Sequence, residues 1–172
     1  MALTQQLARV APEYLIRCRA SALDSPDASP NWSPPAGNCL DTGWATWGLL
    51  RHCRRSGADP GTVTLLDRAI SGDPGGDVGF LDHDEVYDGF ADPPRLLAPV
   101  AVADIAHGLD AIDLNTLLAD LPHSPAAAAA VCGFGPGFDG DVRIHLVERF
   151  YALREFYRGA ARRGQCVVAW ID

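Results

Sequence analysis

The chain has 172 residues, 48% of them hydrophobic, which is the length of one domain and enough apolar material for a continuous core. All 14 basic residues are arginine, and the absence of lysine excludes a lysine Schiff base, a pyridoxal-phosphate anchor, a G-x-x-x-x-G-K-[ST] phosphate loop and an S-x-x-K acyl-transfer site. The net charge of -8 argues against a nucleic-acid partner, because phosphate contacts need clustered cations.

The N-terminal residues do not have the features of a secretory signal. Arg9, Glu13, Arg17 and Arg19 interrupt them, and no apolar run ends at a small-residue cleavage site. Elsewhere no stretch reaches the roughly 18 uninterrupted apolar residues of a membrane span. The sequence therefore predicts a cytoplasmic protein that makes no membrane contact, and its arginine, alanine and glycine content is typical of a GC-rich bacterial genome.

The cysteines are Cys18, Cys39, Cys53, Cys132 and Cys166. An odd, widely spaced set without a C-x-x-C pair suits neither a disulfide framework nor a zinc site. We expect reduced thiols that serve mostly as small core residues. His52 beside Cys53 is a weak hint of an activated thiol, because neighbouring helical side chains point about 100° apart.

The first predicted elements are a strand at residues 4–10 and a helix that Pro12 opens. The run SPDASPNWSPPAGN follows, and it is dense in Pro, Ser and Asn. Such segments bury too little apolar area to order themselves. We expect residues 24–38 to form a surface loop that can be mobile.

A helix is predicted next, with Asp41 or Thr42 as its N-cap, arginines in its last turn and Gly57 as its stop. Trp44 and Trp47 lie near helical spacing within it. Because each offers a large apolar face and a single N–H donor, we expect both to anchor the core.

The middle of the chain alternates short helices with loops rich in glycine, proline and aspartate. Helices are predicted for residues 62–71, for a segment starting at Pro99, and for residues 114–121, the last separate or a continuation. The loop between the first two has brief extended pieces at residues 78–81 and 95–97. The alanine run before Val131 is interpreted, with GFGPGFDG, as a junction of flexible geometry.

The last helix is the clearest element, from about residue 141 to 163, with Leu146, Phe150, Leu153 and Tyr157 in one stripe. After Gly164 comes a nearly continuous apolar run, residues 166–171, which is typical of a strand covered on both faces. We expect an interior strand with Val167 and Val168 buried.

These elements predict an α+β fold in a single domain, residues 1–172. Its small mixed sheet packs against several helices, and the long C-terminal helix precedes a C-terminal strand.

Four segments resemble, in their order along the chain, the YfbM-like family of small bacterial proteins of unknown function: LDTGWATWGLLRHC, AISGDPGGDVGFLDHDEV, RLLAPVAVADIAHGLDAI and ERFYALREFYRGAARRGQCVVAWID. The helix with Asp41 and Trp44 at its start, the glycine turn at residues 70–73 and the helix start at residues 97–99 fit the family pattern. The chain departs from it at residues 24–38, in the alanine-rich insert, and at Ala98, which replaces the capping hydroxyl usual in the family before Pro99. The resemblance implies an α+β fold and carries no activity, so no catalytic residue can be transferred.

The charge is segregated along the chain. Between residues 59 and 120 stand thirteen Asp and Glu against two arginines, a local balance of about -11. Segregated charge creates a directional field that accelerates encounters with a basic partner. The candidate partner surface comprises Asp77, Asp82, Asp84, Glu85 and Asp88. The sequence thus favours a non-catalytic interaction module, of the toxin-neutralising or adaptor kind, with a basic protein as its partner.

Two alternatives stay open. The acidic residues can simply keep the protein soluble. Alternatively, the carboxylates between Asp73 and Asp88, with His83 among them, can serve a hydrolytic or metal-assisted enzyme. Their spacing matches neither a calcium loop nor an H-E-x-x-H zinc site. We therefore expect the fold to need no metal and no organic cofactor, and the sequence leaves the oligomeric state undetermined.

Overall fold

A four-stranded sheet forms the centre of the fold in the computed structural model, which describes residues 4–172. Residues 1–3, the start of the predicted 1–172 domain, lie outside the described residues. The strands are β1 (Gln5–Val10), β2 (Cys39–Gly43), β3 (Arg95–Leu97) and β4 (Cys166–Ile171). They lie in the order β2-β1-β4-β3, so the first and last strands are neighbours in the middle of the sheet.

The predicted α+β class is confirmed, but the sheet is antiparallel throughout rather than mixed. Each neighbouring pair, β1 with β2, β1 with β4, and β3 with β4, runs in opposite directions. The prediction of a mixed sheet assumed parallel strands, which are usually covered by crossover helices on both faces. Here one face is covered largely by loops, which an antiparallel sheet tolerates.

Strand β4 is interior, as predicted, and both of its faces are buried. Val167 and Val168 are each 0% exposed. Because successive side chains of a strand alternate, Val167 points to one face and Val168 to the other. The first face carries Val167 with Leu7 and Leu97, and the second carries Val168 with Ala8.

Helices cover the first face. They are α2 (Ala45–Ser56), α3 (Pro60–Ser71), α4 (Pro99–Ala111), the single turn α5 (Leu114–Leu117), α6 (Pro125–Cys132) and α7 (Val142–Arg162). The predicted stripe of α7 is confirmed, since Leu146, Phe150, Leu153 and Tyr157 are at most 1% exposed in the larger core. Asp141 caps this helix by accepting a hydrogen bond from the backbone N–H of Ile144.

The second face is covered by α1 (Pro12–Asp24) and by two loop segments. Trp32 contributes from the first segment, and Leu81, Val86 and Tyr87 contribute from the second. The Trp32 ring packs edge-on against Tyr14 and Trp170, at centroid distances of 5.6 and 6.0 Å. Residues 24–38 are therefore anchored to the core by one large aromatic side chain, against the expectation that they lack the means to order themselves.

The helix predicted from Asp41 begins later, because Cys39–Gly43 is an edge strand paired with β1. Helix α2 starts at Ala45 and ends, as predicted, at a left-handed Gly57. The prediction that Trp44 anchors the core is wrong, since this residue is 41% exposed. Trp47 is half-buried and packs against the larger core.

Two further local predictions are wrong. Residues 78–81 are not extended, because Gly79–Leu81 forms one turn of 3₁₀ helix. The alanine run is a helix, α6, with Ser124 as N-cap and a left-handed Gly133 as C-cap. Alanine has the highest helix propensity, and the caps fix both ends of the run.

All five cysteines are free thiols, as predicted; Cys39 is exposed and the other four are buried. Within residues 4–172, none of the helices combines the length and apolarity that crossing a membrane requires.

Candidate functional site

The acidic segment, defined as residues 77–92, forms an outer layer over the second face of the sheet. Its side chains Leu81, Val86 and Tyr87 are 0%, 4% and 6% exposed and belong to the core beneath it. The predicted partner-surface residues Asp77, Asp82, Asp84, Glu85 and Asp88 are all exposed. The segment is thus held by apolar side chains while its carboxylates face solvent.

Asp77 differs from the other four because an arginine neutralises it. Arg19 of α1 lies 2.9 Å from the Asp77 carboxylate and also donates a hydrogen bond of 2.6 Å to its carbonyl. The same guanidinium lies over the Phe80 ring, 5.1 Å from its centroid. Asp77 therefore ties the acidic segment to α1 and contributes little free charge.

The remaining four carboxylates stand within seven residues of the sequence, and no arginine in residues 4–172 forms an ion pair with Asp82, Asp84, Glu85 or Asp88. Their hydrogen bonds come from neutral donors. The Tyr87 hydroxyl donates to Asp82 at 2.6 Å, and this bond raises the pKa of Tyr87 to about 12. Within the described residues, no ion pair therefore offsets these four negative charges.

Glu85 links the acidic segment to the other loop on this face. One carboxylate oxygen accepts a hydrogen bond from the Ser29 hydroxyl at 2.7 Å, and the other accepts from the Trp32 backbone N–H at 3.4 Å. At the end of the cluster, the backbone N–H of Asp88 donates to Asp172 at 2.9 Å. These contacts fix the backbone on which the charges sit.

Most other acidic residues of the middle third have structural partners. Two are helix N-caps and four form ion pairs with arginine: Asp59 and Asp113 as caps, and Asp67, Asp73, Asp92 and Asp110 in pairs. Charge counted along the sequence therefore overstates the free negative charge of this region. Much of what remains lies in the four unpaired carboxylates of the acidic segment.

Phe90 is a member of this surface that sequence reasoning missed. Its side chain is 83% exposed, and its backbone N–H donates to the Asp88 carboxylate at 3.0 Å. An exposed aromatic beside unpaired carboxylates can contact the apolar stem and planar head of an arginine. A single phenylalanine in an aperiodic Gly-Asp-Pro loop carries no signal that tells surface from core.

The residues proposed for the enzyme alternative have separate roles. Arg68 donates two hydrogen bonds to Asp73, at 2.7 and 2.8 Å, and this contact lowers the pKa of the Asp73 carboxyl. His83 contacts the carbonyl of Asp27 at 3.2 Å and accepts a hydrogen bond from the Glu85 N–H at 3.1 Å. Across residues 4–172, no group of three or more His, Cys, Asp and Glu side chains is arranged to hold a metal ion.

The weak hint at His52 and Cys53 also has a structural explanation. Both side chains are buried, and His52 contacts the carbonyl of Leu117 at 3.2 Å. Burial raises the pKa of the Cys53 thiol to about 11. A nucleophilic cysteine needs a lowered pKa, so this thiol stays protonated at neutral pH.

Comparison with known proteins identifies the fold. The crystal structure of YfbM from Escherichia coli, a protein of unknown function, superposes with a TM-score of 0.59 at 18% sequence identity, covering 98% of this chain and 99% of that one. This chain has a YfbM-like fold. The resemblance seen in the sequence is thereby confirmed for the fold. No protein-family model and no curated protein matches the chain.

Proposed function

We propose that this YfbM-like chain is a non-catalytic interaction module whose acidic segment binds a basic partner protein. The observation that carries the proposal is the group of four exposed carboxylates, Asp82, Asp84, Glu85 and Asp88, which lack an arginine partner among the described residues. Solubility alone would be served equally well by scattered charge. Concentrated charge on an anchored backbone favours a directional encounter.

In the proposed interaction, charge and an aromatic contact have different roles. Unpaired surface carboxylates raise the association rate with a basic patch, and this contribution falls as salt screens the field. Phe90 offers the apolar area that prolongs the contact, because aromatic side chains dominate binding energy at interfaces. A toxin-neutralising or adaptor role in a reducing cytoplasm, where free thiols persist, fits this division.

The experiment compares two variants of equal net charge. The surface variant carries Asp82→Asn, Asp84→Asn and Asp88→Asn, and keeps Glu85 because that residue anchors Trp32. The control variant carries Asp104→Asn, Asp120→Asn and Asp139→Asn, which are exposed positions outside the acidic segment. A partner is first captured from the source bacterium with the wild type, and association rates are then measured at low and high salt.

We expect the surface variant to associate roughly 10-fold or more slowly at low salt, and the control variant to associate at nearly the wild-type rate. The difference should shrink as the salt concentration rises. Phe90→Ala should instead raise the dissociation rate. Equal association rates of the two triple variants would refute the proposal, because the location of the charge would then be irrelevant.

A further inference from the structure

A cleft of about 450 Å³ lies where β1, β3 and β4 meet the last turn of α3. We call it the strand-end cleft. It lies on the first face of the sheet, and of the acidic segment, which otherwise covers the second face, only Asp92 lines it. Its volume is in the range of small-molecule sites. The side chains that matter for its chemistry are Gln5, Trp47, Asp67, Arg68, Asp92 and Arg95.

One wall of the strand-end cleft is an aromatic ring in a fixed position. The indole N–H of Trp47 donates to the Gln5 side-chain carbonyl at 3.0 Å, and the Gln5 amide N–H donates to the Trp170 carbonyl at 2.8 Å. Gln5 is only 2% exposed, so these bonds are buried and costly to leave unmade. The Trp47 ring is thus oriented before any ligand arrives.

Arg68 lines a second wall of the cleft, and a contact outside the cleft fixes its orientation. Nε and Nη2 of Arg68 donate to the two carboxylate oxygens of Asp73, which does not line the cleft. This two-point contact fixes the plane of the guanidinium. The third nitrogen, Nη1, is not used by Asp73. An arginine held in this way is pre-organised to bind a carboxylate with its remaining N–H groups.

Arg95 places a second guanidinium on the same cleft. The start of β3 packs closely on the end of α3, since a Cβ on Gly72 would lie 2.9 Å from the Cβ of Arg95. Gly72 has a φ of 74°, a conformation that also favours glycine. The contact of Arg95 with Asp92, at 3.3 Å, uses only Nη2. Two arginines from separate segments therefore line the same cleft.

The carboxylates of the cleft limit the charge of a ligand. Asp67 and Asp92 line it together with Arg68 and Arg95, so the lining has no net formal charge. A doubly charged phosphate would meet two repelling carboxylates. A ligand that carries one positive and one negative group would meet a partner for each. Asp67 is 45% exposed, and its contact with Arg54 is long at 3.4 Å, so it remains accessible to a cation.

We propose that the strand-end cleft binds a small zwitterion of the free amino acid class. Its carboxylate contacts Arg68 and Arg95, its ammonium group contacts Asp67, and its side chain lies against Trp47. This site shares no residue with the partner surface formed by Asp82, Asp84, Glu85, Asp88 and Phe90. Ligand binding in the strand-end cleft goes beyond the proposed function and can be tested independently of it.

The test titrates the full chain with each proteinogenic L-amino acid while the indole N–H resonance of Trp47 and the Nε–H resonance of Arg68 are followed by NMR. The first is assigned with Trp47→Phe and the second with Arg68→Gln. Any amino acid that binds is then compared with its N-acetyl derivative, which lacks the cation, and with its primary amide, which lacks the anion.

The binding variants are Arg68→Gln and Arg95→Gln, and the matched control is Arg158→Gln. Arg158 forms a similar pair with Asp110, at 2.6 Å, and does not line the cleft. We expect saturable shifts in the wild type and the control, and affinities roughly 10- to 100-fold weaker in the two cleft variants, since each loses hydrogen bonds to a charged group. Unfolding curves check that the variants remain folded.

The primary amide and the N-acetyl derivative test whether binding requires both charges of the ligand. The amide should lose binding because no anion remains for the arginines, and the N-acetyl derivative should bind more weakly because Asp67 loses its cation. Absence of a saturable shift with every amino acid would overturn the proposal. So would unchanged affinity in folded Arg68→Gln, or an N-acetyl derivative that binds as tightly as its parent.

Discussion

The two faces of the sheet are both buried, but different kinds of structure cover them. On the first face, α2, α3, α4, α6 and α7 supply a large core of aliphatic and aromatic side chains. On the second face, a smaller core lies beneath one helix and two loop segments, and three aromatic residues are prominent in it: Trp32, Tyr87 and Trp170. The helical face therefore gains stability from many modest contacts, and the loop-covered face from a few large ones.

This difference has consequences for local stability. Loops satisfy fewer of their own backbone groups than helices, so the second face depends on individual polar contacts such as those that Glu85 makes with Ser29 and Trp32. Regions with few buried contacts open at lower free energy than the core. We expect the covering layer of the second face, including the acidic segment, to open before the helical layer does.

The largest expected loss of stability comes from a charge buried on either face of strand β4. Val167→Asp and Val168→Asp each bury an unpaired carboxylate in the central strand and should reduce the free energy of unfolding by roughly 4 kcal/mol or more. The loss should be larger for Val167→Asp, because the loop layer over Val168 can open to admit water. Urea denaturation measures both losses of stability. The single variants Val167→Ala and Val168→Ala report the loss of packing alone. Near-wild-type stability of Val168→Asp would contradict the interior placement of β4.

Removing the aromatic anchor of the Pro-rich loop should have the next largest effect. Trp32→Ala deletes a side chain that is 9% exposed and should reduce stability by about 3 kcal/mol. Hydrogen exchange should accelerate in residues 24–38 and 77–92 and remain slow in α7. Trp44→Ala, at a 41% exposed site, is the control and should cost less than about 1 kcal/mol. Equal acceleration in α7 would show that the two layers unfold as one unit.

A matched pair of tyrosines compares a single hydrogen bond on each face. The Tyr157 hydroxyl donates to the Ala69 carbonyl at 2.6 Å in the helical core, and the Tyr87 hydroxyl donates to the exposed Asp82 carboxylate at the same distance. Tyr157→Phe leaves a buried carbonyl unsatisfied and should cost about 1–3 kcal/mol, whereas water replaces the donor in Tyr87→Phe, which should cost about 0.5–1 kcal/mol. Thermal unfolding of both variants tests the order, and a larger loss in Tyr87→Phe would reverse the comparison.

The buried thiols give an effect that appears only at alkaline pH. Burial raises the pKa of both Cys53 and Cys132 from 9.0 to about 11 on the helical face. Because these values are raised in the folded state, the corresponding stability is present below pH 9 and is lost as the pH rises toward 11. Unfolding at successive alkaline pH values should therefore show a decline that Cys53→Ala reduces.

Thiol labelling separates the two faces directly. Cys39 is exposed and should react first, followed by Cys18 and Cys166 under the second-face layer, and last by Cys53 and Cys132. Mass spectrometry of peptides after a timed reaction reads this order. Simultaneous labelling of the four buried thiols would show global rather than layered opening.

The sequence predicted the elements whose signal is local and strong. The apolar stripe defined α7, Gly57 ended α2, and the continuous apolar run defined β4. Strand β2 was missed because Cys39–Gly43 is a short polar edge strand that exists only through pairing with β1. Helix α6 was missed although Ser124, the alanine run and Gly133 are ordinary helix signals. The neighbouring glycines obscured these signals.

The candidate site was predictable only in part. The five carboxylates of the candidate partner surface are exposed. The sequence could not show which acidic residues have partners, since Arg158 and Asp110 are separated by 48 positions. Phe90 has no local pattern that marks it as exposed. The strand-end cleft is built from Gln5, Trp47, Arg68 and Arg95, which only the folded sheet brings together.

The pairing of β1 with β4 sets the order in which this chain can fold. The Gln5 side chain donates to the carbonyl of Trp170, 165 positions away, and Thr4 and Asp172 exchange two backbone hydrogen bonds of 2.6 and 3.0 Å. Contacts of such long sequence separation slow folding, because loop-closure entropy is lost before they form. On the ribosome, α1 and the helices can form as they emerge, but neither core closes until β4 has left the exit tunnel. Until then β1 exposes an edge to which another strand can add, so nascent chains of this protein should depend on chaperones more than its modest size suggests.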